Sequence, residues 1–176
     1  MDQERELRRL LDEREIERVL VRYARGVDRC DEALIASVYH EDSYDEHGPF
    51  HGTGAEFAKW VVGILESAFE ATSHRISNAT IKLDDDDAKV ESYVVATHRT
   101  RPPRSRQGES RSRLVVVGAR YLDHFRRIEG EWKISRRVVV IDWSQITPIE
   151  QTFPTAGYTL GERSAADPSY AGFLGS

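Results

Sequence analysis

The 176-residue sequence predicts an α+β fold: a cone-shaped α+β barrel in which N-terminal helices close an internal cavity against a strongly curved, mainly antiparallel sheet. Three observations predict it. Helical periodicity fills most of the first seventy residues. From Ser73 onward the pattern changes to segments rich in Val, Ile, Thr and Tyr with polar residues interspersed. Those segments are long, and a long strand bends; helices packed on the inside of a bent sheet leave a concave space of the kind that holds small molecules.

The elements follow in order. Leu7, Leu10 and Leu11 have helical spacing but fall out of phase with the stripe Ile16, Val19, Leu20, Tyr23, Val27. Asp12 with Glu15 has the form of a capping box, so the main helix is expected over about 13–28 with a separate short helix before it. Asp31 caps a short second helix through Val38, ended by the polar run from His40 to Ser43, and YDEHGPFHGTG reads as an irregular strand and turn. Thr53 and Glu56 repeat the box ahead of a third helix whose apolar face is Phe57, Trp60, Val61, Ile64, Leu65 and Ala68. Four strands are expected over 73–83, 88–100, 111–128 and 132–143. DDDD at 84–87 and EGE at 129–131 form tight turns, and RPPRSRQGES at 101–110 forms a longer basic, flexible loop. One domain is expected over 1–147, and the Pro- and Gly-bearing tail, 148–176, packs on the domain surface or on a neighbouring subunit.

Composition excludes several classes. A net charge of -5 gives no reason to expect nucleic acid, and no apolar run reaches the length of a membrane span. The charged N-terminus MDQERELRRL is unlike a signal peptide, so a cytoplasmic location is expected. The single cysteine, Cys30, excludes an intramolecular disulfide and a cysteine-based zinc site. His40, His47 and His51 with Asp42, Asp45 and Glu46 lack regular ligand spacing, and Asp84 to Asp87 lack the rest of a calcium loop; no metal and no cofactor are expected.

The main helix places Tyr23 and Asp28 at the C-terminal end of its apolar stripe, where a phenol and a carboxylate reach the space the helix covers. A buried carboxylate needs a partner, and His74 is the expected one.

Tyr23 with Asp28, YHEDSYDEHGPFHG at 39–52, SHRISN around His74, GARYLDHF at 118–125 and GEWKISRR at 130–137 together resemble, over about residues 8–147, the SnoaL-like branch of the nuclear transport factor two-like superfamily. Scytalone dehydratase, bile acid 7α-dehydratase and hexachlorocyclohexane dehydrochlorinase are members. The resemblance implies a cofactor-independent lyase, a carbon–oxygen lyase of dehydratase type, acting on a cyclic, largely apolar small molecule such as a steroid, terpenoid or polyketide. It implies an Asp28–His74 dyad, a substrate-binding role for His98, Arg137 and Tyr44, and a homo-oligomer, with a trimer favoured. An isomerase or cyclase using the same dyad, the noncatalytic small subunit of an aromatic-ring dioxygenase, and a ligand-binding module are the alternatives.

Elementary chemistry supports the dyad. An elimination takes a proton from carbon while a group leaves the next carbon; imidazole, with an ordinary pKa near 6.5, accepts that proton at neutral pH, and a carboxylate on the other ring nitrogen fixes the tautomer. Tyr23 would donate its phenolic hydrogen to a substrate oxygen. Arg136 and Arg137 point to opposite faces by strand alternation; Trp132 and Ile134 share parity with Arg136, whereas the family match selects Arg137. The apolar residues at both parities in VVVGARY and RRVVVIDW predict that the outer face of the sheet is covered by another subunit.

Overall fold

A single helix, α1 (Gln3–Arg29), opens the chain and lies across a sheet of six strands. The structure, a computed structural model, describes residues 3–102 and 111–172. The stripe Ile16, Val19, Leu20, Tyr23 and Val27 is buried as its spacing predicts. The expected break at Asp12 is absent. Instead of capping a new helix, the Asp12 carboxylate is buried and accepts hydrogen bonds from Trp132 Nε1 (3.0 Å) and Arg127 Nη1 (2.6 Å), so helix continuity is secured by a contact 120 residues away in the chain. Cys30 ends the helix in the left-handed region (φ 53°), with the Asp31 N–H on Gly26 O at 2.9 Å. Gly26 is required there, because a Cβ would lie 2.8 Å from Ile35 of the next helix.

The helix α2 (Glu32–Ser37) begins at Asp31, whose carboxylate accepts from Leu34 N–H. The polar run after it is a strand rather than a terminator: β1 (Tyr39–His47) makes a hairpin with β2 (Phe50–Gly52). The helix α3 (Gly54–Ala68) starts with the complete Thr53–Glu56 capping box and buries Phe57, Ala58, Val61 and Leu65; Ile64, expected inside, is exposed. The four long strands are β3 (Phe69–Asp84), β4 (Asp87–Thr100), β5 (Arg113–Ile128) and β6 (Glu131–Pro148), so the last one runs five residues past its expected end at 143. Both tight turns are present, at Asp85 and at Glu129–Gly130, the latter with two successive positive φ values that suit a glycine second. Of the basic loop at 101–110, residues 103–110 lie outside the described residues.

The sheet is curved, mixed and unclosed, in the order β2-β1-β6-β5-β4-β3, with β1 parallel to β6 and every other pair antiparallel. Its concave face meets α1, since Tyr121 of β5 touches Tyr23 of α1 edge-on at 5.6 Å between ring centres. Cross-strand register then assigns the other concave residues, because directly opposed residues share a face. The helices cover one end of this face. Around them Ile16, Leu20, Phe57, Phe125, Trp132 and Ile134 form the core, each large side chain contributing about 1.5–3 kcal/mol by leaving water.

Candidate active site at the open end of the sheet

Beyond the helices the described residues cover the concave face only in part. Thr72, His98, Val115 and Ile146 form one row across β3, β4, β5 and β6; His74, Ala96, Val117 and Ser144 form the next; Ile76, Val94, Ala119 and Ile141 the third. Ile141 and Ile146 are each 59 % exposed, while Val115 and Val117 are half-buried beneath them. The result is an apolar floor of β-branched side chains with a polar edge on β3 and β4, the form expected of a surface that takes an apolar small molecule.

At that polar edge the C-terminal end of α1 brings Asp28 onto β3. Asp28 Oδ1 lies 2.8 Å from His74 Nδ1, and Oδ2 accepts the His74 backbone N–H at 2.9 Å. One carboxylate thus fixes both the ring and the backbone of the histidine. The two side chains remain partly open, at 15 % for Asp28 and 9 % for His74. Burial alone pushes the Asp28 carboxyl up, but the hydrogen bonds and charge of His74 outweigh it and bring it below the ordinary carboxylate value. An ionised carboxylate only accepts, so neutral His74 carries its proton on Nδ1 and its lone pair on Nε2, which no described residue engages. That tautomer is the one a base requires.

His98 packs against this pair. Its ring meets His74 edge-on at 5.4 Å and Phe69 at 4.9 Å, and its Nδ1 is buried without a hydrogen-bond partner. Burial first, and then the neighbouring His74 charge, lower its pKa to about 4, so at neutral pH it is an uncharged imidazole.

Three other residues named from the sequence stand elsewhere. Tyr23 is 1 % exposed and belongs to an interior cluster in which the Arg137 guanidinium lies 4.1 Å from the ring centres of both Tyr23 and Tyr121. Arg137, at 0 % exposure, makes a bidentate pair with Asp123 at 2.7 Å on each arm. Tyr39 donates to Asp45 Oδ2 at 2.5 Å in the same cluster, where Asp45 Oδ1, Arg137 Nη1 and Ser92 Oγ are buried without hydrogen-bond partners and Asp45 Oδ1 lies 3.7 Å from His47 Nδ1. Tyr44 is 39 % exposed on the outer side, with its hydroxyl 3.3 Å from His51 Nδ1 and Arg136 over its ring. The structure therefore brings together Asp28, His74 and His98, gathers Tyr23 and Arg137 in a second cluster, and leaves Tyr44 apart.

Arg137 faces inward for a local reason. Between the pairs Phe125–Ile134 and His124–Arg136 the register shifts by one residue, so Ser135 is bulged and the parity of β6 inverts after Ile134. Simple alternation therefore pointed to the wrong arginine. Asp123, the partner of Arg137, was not singled out from the sequence although it was visible: it is in phase with Tyr121 and Phe125, and a carboxylate at inward parity implies a buried cation.

Comparison with known proteins gives the family and the fold. Residues 8–138 match the SnoaL-like domain. Among solved structures, a candidate scytalone dehydratase from Novosphingobium aromaticivorans is 26 % identical, with 86 % of this chain and 97 % of that one covered at a TM-score of 0.67. Hexachlorocyclohexane dehydrochlorinase LinA-type3 from Novosphingobium barchaimii is 20 % identical, with 85 % and 99 % covered at 0.69. A candidate aromatic ring hydroxylase from Novosphingobium aromaticivorans is 20 % identical, with 80 % and 94 % covered at 0.66. The last two are alike in fold. No curated protein sequence matches the chain.

Proposed function

The chain belongs to the SnoaL-like domain family, and from that premise we propose that it is a cofactor-independent lyase that eliminates a hydroxyl or comparable leaving group from a cyclic, largely apolar small molecule. The observation that carries this reading is the Asp28–His74 pair: a carboxylate on Nδ1 at 2.8 Å and an unengaged Nε2 beside an apolar floor. The dehydratase and dehydrochlorinase identities of similar structures are consistent with it.

The step balances without a cofactor. His74 Nε2 takes the proton from a carbon next to a carbonyl, the C–H electron pair becomes the new C=C bond, and the C–O bond breaks with its pair on the departing oxygen, which takes that same proton back from the His74 imidazolium and leaves as water, so the imidazole is neutral again at the end. Asp28 stabilises the imidazolium and holds the tautomer. His98, uncharged, offers an N–H to the leaving oxygen rather than a full proton. Tyr23 and Arg137, enclosed with Tyr121 and Asp123, hold the wall behind the helix end. Val115, Val117, Ile141 and Ile146 would seat the apolar ring. If the proton returns to another carbon instead, the same dyad performs an isomerisation.

Screening β-hydroxy ketones, steroid and bile-acid enones and chlorinated cyclohexenes with the purified protein tests the reading. Turnover that persists with a chelator and disappears in His74→Ala supports it; turnover that needs added metal, or that is indifferent to His74 and Asp28, defeats it.

A further inference from the structure

The tail beyond the matched domain returns to the dyad. Phe153, Tyr158 and Leu160 are exposed, but the stretch 162–170 lies against the ends of the three helices. Its anchor is Arg163. Nη1 donates to Leu65 O at 3.0 Å and to Phe69 O at 2.8 Å, and Nη2 to Cys30 Sγ at 2.9 Å. Leu65 lies in the last turn of α3, Phe69 opens β3 and Cys30 follows α1. One planar guanidinium thus ties together the chain ends that carry the dyad, since Asp28 precedes Cys30 by two residues and His74 follows Phe69 by five. Phe69 also packs on His98, which packs on His74.

The rest of the segment fastens this anchor. The buried Asp167 accepts from the Glu162 and Ser169 N–H groups and lies 3.4 Å from Arg29 Nε. The Tyr170 hydroxyl donates to Asp31 Oδ2 at 2.7 Å, and Arg25 lies over its ring at 4.5 Å. All of these partners flank Asp28 on or just after α1.

We propose that Arg163 is a positioning residue of the Asp28–His74 pair, and that the stretch 162–170 is a strap that sets the separation of the α1 and β3 ends and so the presentation of the carboxylate to the ring. This rests on the dyad reading above. It assigns a function to a segment outside the matched domain. Loosening the strap would leave both side chains in place but let the two chain ends drift, and a displacement of about 1 Å at a reacting group costs around 10²-fold in rate.

The full chain provides two kinds of readout that need no substrate, thiol reactivity and NMR. Cys30 is the only cysteine, so its reaction with dithionitrobenzoate reports the strap contact; followed across pH so that the thiolate-stabilising effect of Arg163 is separated out, the limiting rate of the thiolate should rise on the order of tenfold in Arg163→Gln as local opening becomes easier. By NMR, the His74 Nδ1–H proton should be observed in the wild type and lost to exchange in Arg163→Gln, while the His98 titration midpoint moves up from about 4 because the Arg163 charge contributes to its depression. Arg163→Lys keeps the charge but not the three-way fork: the His98 midpoint should stay near the wild-type value while the His74 signal weakens. If Arg163→Gln does not fold, the lysine variant decides. A faster Cys30 reaction with an unchanged His74 signal makes the tail mere cover and overturns the proposal, as does wild-type behaviour in both readouts. Once a substrate is known, kcat should fall about 10²-fold with KM little changed. Absence of any wild-type turnover with the His74 signal intact defeats the elimination reading alone; the Arg163 variants still judge the strap.

Discussion

At the scale of single residues, His74 and Asp28 carry the sharpest expectations. His74→Ala should lower kcat by roughly 10²-fold or more, because a positioned base contributes about 10² to 10⁴, while far-UV circular dichroism stays native. Asp28→Asn should act in the same direction, since an amide still reaches the ring but neither offsets an imidazolium nor enforces the tautomer. Tyr23→Phe should cost much less activity, as the ring keeps its place between Tyr39, Phe57 and Tyr121. The two titrating groups also act on stability in separate pH windows. Asp28 is depressed in the folded chain, so its contribution is present above the unfolded value near 3.9 and is lost as pH falls below it. His98 is depressed to about 4 from 6.5, so the unfolded chain binds the extra proton between those values and stability falls as pH drops from 6.5 to 4. Denaturant midpoints measured across pH should therefore show a slope in the 4 to 6.5 window that His98→Gln flattens; an unchanged slope would sink this assignment. That Asp28 and His74 would meet was expected from the need of a buried carboxylate for a partner and from the family resemblance, and the two side chains do meet, at 2.8 Å. The arginine choice was not, because one bulged residue, Ser135, inverts a parity that alternation alone would preserve.

At the scale of elements, the same contrast appears in α1. Its stripe was readable because burial imposes a period of 3.6, and α3 was readable down to its cap. Its start was misplaced because Asp12 satisfies the local rule for a cap and a distant requirement at once, and the distant one prevails. The Asp12→Ala variant should accordingly behave as a core substitution, not as a cap change, costing about 1–3 kcal/mol by leaving the buried Trp132 Nε1–H unsatisfied. Trp132→Phe should largely abolish that cost, and equal losses for Asp12→Ala in both backgrounds would contradict the account. Thr53→Ala, by comparison, removes a true cap and should cost about 1 kcal/mol by the same denaturation measurement.

At the scale of the molecule, the convex face of the sheet carries large apolar side chains that the described residues leave exposed. Tyr93, Val95, Leu122 and Trp143 are exposed there, and the Trp143 indole lies flat on Gly118, where a Cβ would fall 2.1 Å from its Nε1. A patch of this kind on the outer face is what a partner subunit covers, and a homo-oligomer with a trimer favoured is the assembly we expect. Light scattering at micromolar concentration should give a mass above that of one chain, and Trp143→Glu should lower it; a monomeric wild type would rule out an extensive interface.

The hydrophobic periods alone set the class of this protein: helices first, long strands after, one apolar face per helix and caps where Thr53 and Asp31 stand. They did so because those features depend on neighbours within a few residues. Which arginine faces inward, where α1 begins, that Tyr23 and Arg137 share a cluster separate from Asp28 and His74, and that Arg163 returns to the dyad were decided only in the folded chain. Each of these depends on contacts between residues from fourteen to more than a hundred positions apart, where a buried charge must find its partner and a single bulge redirects the side chains from Arg136 until the second register shift at Asp142.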